Sequence, residues 1–420
     1  MDAARVSASA MRTKNRILLL LVCLAYVAFG LVTAVIGVVI SRFQQTYRVP
    51  LWIAGLLPFA FYLAYGICSI PFGLLMDRKG GRPVILLGMF LMTLGCFLFY
   101  CGTHWWLIII IVFIIGVGVT AIQTAGNPII RDLDIPSRYT SNLTIIIGIG
   151  ALGYAISPVM IPYFELKGYS WQTVYLVFGI VNLVLLSLFV TVRFPPAKPT
   201  EDEKVRPEII AFLLKDPIII TYTFGIFLYV GGEVGVSSYI VTYMEQVHKM
   251  GLQDSIWAKD SFWYDAFPSA SALAVALFWA LQALGRMIIG LLMNIMKPKA
   301  IFVVCSGLCV ASLLVALLGS SHVALISFVF TGLFTCASFT LLFSAAVQSF
   351  EANHGTISGI LCTAIIGGAI LSGLVGVVGQ AWGLRMGMAI NLIAFLYVFL
   401  LAALGRGKLD VEASQSGGEE

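Results

Sequence analysis

Long apolar runs separated by short polar breaks make up nearly the whole chain. Cut at charged residues and at Gly or Pro, they give twelve segments near residues 16 to 41, 51 to 76, 83 to 102, 105 to 130, 139 to 163, 171 to 193, 218 to 244, 268 to 296, 300 to 319, 322 to 349, 355 to 381 and 385 to 405. Each is about as long as the roughly 20 residues that a helix needs to cross a bilayer, and far longer than a strand. The pattern therefore predicts an all-α membrane protein with twelve transmembrane helices. The run from Ile17 onward is too long for a signal peptide and is followed by further spans, so it reads as a retained first helix. Two breaks are long. Residues 194 to 216, with Pro195, Pro196, Pro199 and the run Glu201-Asp202-Glu203-Lys204, read as a solvated linker ending in a short surface helix over 207 to 215. Residues 245 to 267 carry Trp257, Trp263 and Tyr264, which read as interfacial anchors.

Composition agrees with this reading. Of 420 residues, 60% are hydrophobic and 11% charged, and the mean hydropathy is +0.98. A water-soluble chain of that size keeps more charge on its surface. Charge placement then gives a topology. With the N-terminus inside, eighteen of the 25 Lys and Arg fall in inside loops and six outside, which places both termini in the cytoplasm. No basic cluster suits nucleic acid. The eight Cys lie in or beside apolar runs and the four His are scattered near helix ends, so neither set has metal-ligand spacing, and no cofactor is expected. There is no His-Glu-x-x-His motif and no Ser/His/Asp constellation, which argues against an enzyme.

Polar residues that survive at depth carry the chemical information, because charge in the middle of a bilayer is costly and normally faces the bundle interior. Glu233 lies about 22 Å and Gln282 about 21 Å along their helices from the inner end, with Arg286 one turn lower at about 15 Å. These three can share the middle of the membrane, and Glu233 can pair with Arg286. Tyr229, Glu233 and Ser237 recur at i, i+4 and i+8 on one helix face. In the first half, Gln123 and Asn127 share a face of the fourth segment just before Pro128, and Tyr26 lies at the depth of Arg286. Hydroxyls, amides and aromatic faces suit a polyhydroxylated solute. The alternative for each polar residue is a bond between neighbouring helices.

The loop Gly73-Leu74-Leu75-Met76-Asp77-Arg78-Lys79-Gly80-Gly81-Arg82 returns in the second half as Gly290-Leu291-Leu292-Met293-Asn294-Ile295-Met296-Lys297-Pro298-Lys299, so the chain divides into similar halves. We expect bundles over 1–193 and 217–409, a linker over 194–216 and a disordered tail over 410–420. The first loop resembles the signature between the second and third helices of the major facilitator superfamily, with Gly81 where that family usually has a basic residue. The resemblance implies two pseudo-symmetric six-helix bundles that rock about a central site. It also implies an inner latch formed by Gly73, Asp77, Arg78, Gly80 and Arg82, with Asp77 near a helix N-terminus or a basic partner such as Arg131.

Within that superfamily, Gln123-Thr124-Ala125-Gly126-Asn127-Pro128 is similar to a fourth-helix motif of the fucose:proton symporter family. Phe227-Leu228-Tyr229-Val230-Gly231-Gly232-Glu233-Val234 resembles its seventh-helix motif, and Ser358-Gly359 with Ile365-Ile366-Gly367-Gly368-Ala369-Ile370 its eleventh helix. This implies a sugar transporter, acting as a monomer in a bacterial inner membrane, with Asn127 and Glu233 in its cavity. Two departures matter. The family's proton-linked Asp on the first helix aligns with Gly37, and the Glu of its fourth-helix motif is Gln123. Either Glu233 couples transport to H+ or Na+, the reading we prefer, or the chain is an uncoupled facilitator. A carrier of organic anions that grips a carboxylate with Arg286 is the rival.

Overall fold

The structure, a computed structural model, describes residues 2–133, 139–192, 194, 213, 215–251, 254–261, 263–264, 267–292, 296–349 and 354–404. Twelve helices among these are long and apolar enough to cross a membrane. Lipid cannot satisfy a bare N–H or C=O, so the chain crosses as helices whose backbone bonds close on themselves. The first span consists of α1 (Asp2–Ala34) and α2 (Ile36–Tyr47), and the second of α3 (Leu51–Ala54) and α4 (Leu56–Lys79). Single helices form the next seven: α5 (Gly81–Cys101), α6 (Trp105–Leu133), α7 (Tyr139–Leu166), α8 (Thr173–Thr191), α9 (Pro217–His248), α10 (Ala270–Leu292) and α11 (Pro298–Leu318). The tenth span breaks into α12 (Ser321–Thr335) and α13 (Ser338–Gln348). The eleventh joins α14 (His354–Thr363) to α15 (Gly367–Trp382) through a 3-10 turn, and α16 (Leu384–Leu404) is the twelfth.

The same helix pairs recur in both halves. In the first, span 1 packs on 5, 2 on 4, 3 on 4 and 3 on 6; in the second, 7 packs on 11, 8 on 10, 9 on 10 and 9 on 12. The contacts match in detail as well. Gly116 lies against the main chain of Phe61, and Gly332 against that of Phe278 at the equivalent place. Gly153 meets the carbonyl of Val27 as Gly367 meets that of Phe227. In lipid, with little hydrophobic drive between helices, small residues at these crossings allow the close approach from which packing energy comes. The fold is thus two pseudo-symmetric six-helix bundles. Leu20, Ile67, Ile110, Ile180, Val304, Ile326 and Ile393 point outward, as lipid-facing side chains should.

The halves meet through spans 1 and 7, 2 and 11, and 5 and 8. Among the described residues, the hydrogen bonds that join them all lie at the end of the bundle away from the termini, here called the distal end. Ser41 donates to Glu245, Gln45 Nε2 donates to Glu245 at 3.3 Å, Gln246 Nε2 to Gln44 at 3.0 Å, and the Leu51 N–H to Gln380 at 2.7 Å.

Two expected boundaries need correction. The first span runs six residues beyond 41, to Tyr47, and the seventh runs four beyond 244, to His248. Arg42 and Glu245 read as breaks in the sequence because lone charges end apolar runs. In the fold both are partnered: Arg42 pairs with Glu165 at 2.7 Å, and Glu245 accepts from Ser41 and Gln45. Both helices then end on a cation in the left-handed region, Arg48 (φ 51) and Lys249 (φ 58). The surface helix expected over 207 to 215 and the tail from 410 lie outside the described residues, apart from isolated positions in the former. Trp257 and Trp263 face each other at 5.9 Å on the distal loop, where both are exposed.

Candidate functional site

Three helices of the second half converge on Glu233. The residue lies midway along α9 and is only 8% exposed. Tyr229, one turn earlier on the same face, donates its hydroxyl to Glu233 Oε1 at 2.6 Å. Gln282 of α10 donates its amide Nε2 to that same oxygen. Arg286, one turn further along α10, holds Nη2 at 3.7 Å from it. Four residues that the sequence assigns to the site therefore form one cluster, and the ion pair expected from depth alone is present. Burial fits the chemistry: Tyr229 and Gln282 are 1% and 3% exposed, and buried polar groups need such partners. The Arg286 side chain is more open, at 37%, and so reaches the space between the halves.

The first half supplies an aromatic wall. Tyr62 stacks on Tyr65 at 6.0 Å, and Gly368 sits between Tyr62 and Val234, next to Glu233. Tyr154 of the fifth span packs on Trp279 of the eighth at 4.8 Å. Trp279 lies on the face of α10 that carries Gln282 and Arg286, by their i, i+3, i+7 spacing. Tyr62, Tyr65, Tyr154 and Trp279 were not candidates in the sequence. The spacing of Tyr62 and Tyr65 at i, i+3 was visible there, but aromatic residues within a span read as ordinary packing.

Among the described contacts, the remaining expected residues make no hydrogen bond to this cluster. Tyr26 lies against Gly126 and Gly150 of its own half, edge-on to Phe29 at 6.2 Å, and is 5% exposed. Ser237 shares the face of Tyr229 and Glu233, yet its hydroxyl turns back to the Val234 carbonyl at 3.3 Å and its main chain presses on Gly37. Gln123 is half-buried on α6. The side chain of Asn127 is outside the described part of the structure.

Of the latch residues, the side chains of Asp77, Arg78 and Arg131 are likewise outside it. Gly80 joins α4 to α5 at φ 79, where glycine is strongly preferred, and its N–H caps the helix on the Met76 carbonyl at 2.7 Å. Arg82 donates to the Val190 carbonyl at 3.0 Å, within its own half. A side chain at Gly73 would touch nothing within 4 Å, so close packing is not what asks for glycine there.

Thr335 is the polar contact that sequence reasoning missed. It ends α12 at the break in the tenth span, is fully buried, accepts from Gln282 Nε2 on Oγ1 at 3.2 Å and receives the Tyr229 hydroxyl on its carbonyl at 3.0 Å. The sequence does hold a signal for it. Ser327, Thr331, Thr335 and Ser338 form a polar row along an otherwise apolar span, and all four are buried.

A family model described as Major Facilitator Superfamily matches residues 22–259. A glucose/galactose transporter of Brucella abortus is 26% identical over 398 residues, covering 91% of this chain and 92% of that protein. The L-fucose-proton symporter of Escherichia coli is 22% identical over 416 residues, covering 91% of each. A crystal structure of the Escherichia coli fucose:proton symporter superposes with a TM-score of 0.64 at 21% identity, covering 93% of this chain and 99% of that one.

Proposed function

The chain belongs to the major facilitator superfamily, and from that premise we propose that it moves a small neutral sugar across a bacterial inner membrane by alternating access, coupled to a cation gradient through Glu233. The observation that carries this reading is the cluster of Tyr229, Glu233, Gln282 and Arg286 at mid-membrane, facing aromatic rings of the opposite half. Donors and acceptors on one side and flat apolar faces on the other match a sugar, whose hydroxyls need hydrogen bonds and whose C–H faces need rings. Relatives named for glucose, galactose and L-fucose support the same class.

Glu233 is the carboxylate of this cluster, and it sits where the halves part. The departures at Gly37 and Gln123 remove carboxylates that could otherwise share its work. Arg286 spends its charge on Glu233, which favours a neutral solute over a carboxylate. With the termini in the cytoplasm, the distal end faces outward, and the hydrogen bonds there close the site from that side.

The test is uptake of radiolabelled D-glucose, D-galactose and L-fucose, with lactate as the anionic comparison, into liposomes under imposed pH and Na+ gradients. We expect sugar accumulation that follows one of the gradients. Glu233→Gln should abolish accumulation against a gradient while exchange of sugar for sugar continues. Unchanged uphill accumulation in that variant removes Glu233 from coupling, and uptake of lactate alone would favour the anion carrier.

A further inference from the structure

The bonds around Glu233 are lopsided. Tyr229, Gln282 and Arg286 all address Oε1. Among the described residues, Oε2 has no hydrogen-bond partner, and it is not one of the buried polar atoms closed off without one. Among the described residues, one oxygen of the carboxylate takes all three donors and the other takes none.

Thr335 explains how the donors stay on one oxygen. Its hydroxyl proton goes to the Gly332 carbonyl at 2.8 Å, so Oγ1 can only accept from Gln282. The amide must then present its NH2 end, whose two hydrogens meet Thr335 Oγ1 and Glu233 Oε1. The break after Thr335 also frees its carbonyl from the helical ladder, and that carbonyl receives the Tyr229 hydroxyl at 3.0 Å. A single residue on a third helix thus fixes the Gln282 amide and shares the one Tyr229 proton with Glu233 Oε1.

We propose that Thr335 is a positioning residue for the transport site: its hydroxyl keeps the NH2 end of Gln282 on Oε1 of Glu233, and its carbonyl holds the Tyr229 hydroxyl beside that same oxygen, which leaves Oε2 to meet a solute hydroxyl or a proton. This rests on the reading of Glu233 as the site's working carboxylate. Thr335→Val keeps the shape and the carbonyl but loses the hydroxyl, leaving one Gln282 N–H without an acceptor. Thr335→Ser keeps both groups.

The experiment measures two things in wild type, Thr335→Val and Thr335→Ser: KM and maximal rate for D-galactose uptake, and the infrared band of the Glu233 carboxyl group, identified as the band lost in Glu233→Gln. With one hydrogen bond lost, Thr335→Val should raise KM roughly five- to tenfold with a smaller change in maximal rate per transporter in the membrane. The carboxyl band should shift in Thr335→Val and return in Thr335→Ser. A Thr335→Val protein with wild-type KM and an unmoved band overturns the proposal. So does a Thr335→Ser protein as impaired as Thr335→Val, which would make the residue a packing element. If Thr335→Val does not reach the membrane, Thr335→Ala is read by the same two criteria. A wild type that takes up no sugar, but whose band moves in Thr335→Val, would remove the sugar reading and leave the positioning role intact.

Discussion

At the scale of single residues, the cost of a charge in lipid dominates. Glu233 and Arg286 are tolerable because they neutralise each other across the packed pair α9 and α10, and because Tyr229 and Gln282 supply hydrogen bonds to the carboxylate. Removing one partner should therefore hurt more than removing both. Arg286→Gln is expected to lower the thermal midpoint of the detergent-solubilised protein, and Glu233→Gln with Arg286→Gln to recover part of the loss. The coupling energy should be about 1 kcal/mol, well below that of a sealed pair, since Arg286 is 37% exposed and partly screened. A double variant no better than the single one would mean that the two charges do not support each other. These residues were legible in the sequence because their types are rare at depth. Thr335 was not, since a hydroxyl in a span costs little and usually bonds back to its own helix, as Thr93, Thr120 and Thr331 do.

At the scale of elements, three features are decided by neighbouring helices. The first and seventh spans continue past charges because those charges find partners; the tenth span breaks where its carbonyl serves another helix; and α2 crosses α9 at Gly37. A side chain at Gly37 would run into the main-chain carbonyl of Ser237 in the opposite half. Gly37 is a packing surface between the halves. Gly37→Leu should cost about 1–3 kcal/mol in the state with the distal end closed. Net uptake should then fall roughly tenfold or more, with sugar binding from the distal side retained; transport assays paired with binding to the detergent-solubilised protein will check this. Full transport by Gly37→Leu would show that this crossing is looser than the geometry implies.

At the scale of the whole molecule, the distal end is closed by polar residues from the two halves. Gln44 and Gln45 lie near the distal end of the first span, and Glu245 and Gln246 near that of the seventh. Gln44 pairs with Gln246 while Gln45 pairs with Glu245. Two side chains of one half are thus bonded to two of the other at a single place. Such a contact forms and breaks as a unit when two rigid halves rotate. In a cysteine-depleted background, Gln44→Cys with Gln246→Cys should cross-link under mild oxidation and stop net uptake, with recovery on reduction. Unimpaired uptake by the fully cross-linked protein would mean that the distal end need not open.

Membrane embedding, the twelve spans, the repeat of one half in the other and the depth of Glu233, Gln282 and Arg286 are all settled along the chain itself. Lipid penalises every unpaired backbone group and every misplaced charge whatever the neighbouring helices do, so segment length and polarity suffice to read them. The tertiary structure alone decided that Ser237 bonds back to its own helix, that Thr335 joins the cluster, that Arg42 and Glu245 stay helical, and that the donors to Glu233 converge on one oxygen. Those outcomes depend on how closely separate helices approach. That distance is set by small residues such as Gly116, Gly332 and Gly367, whose contact partners are far away in sequence.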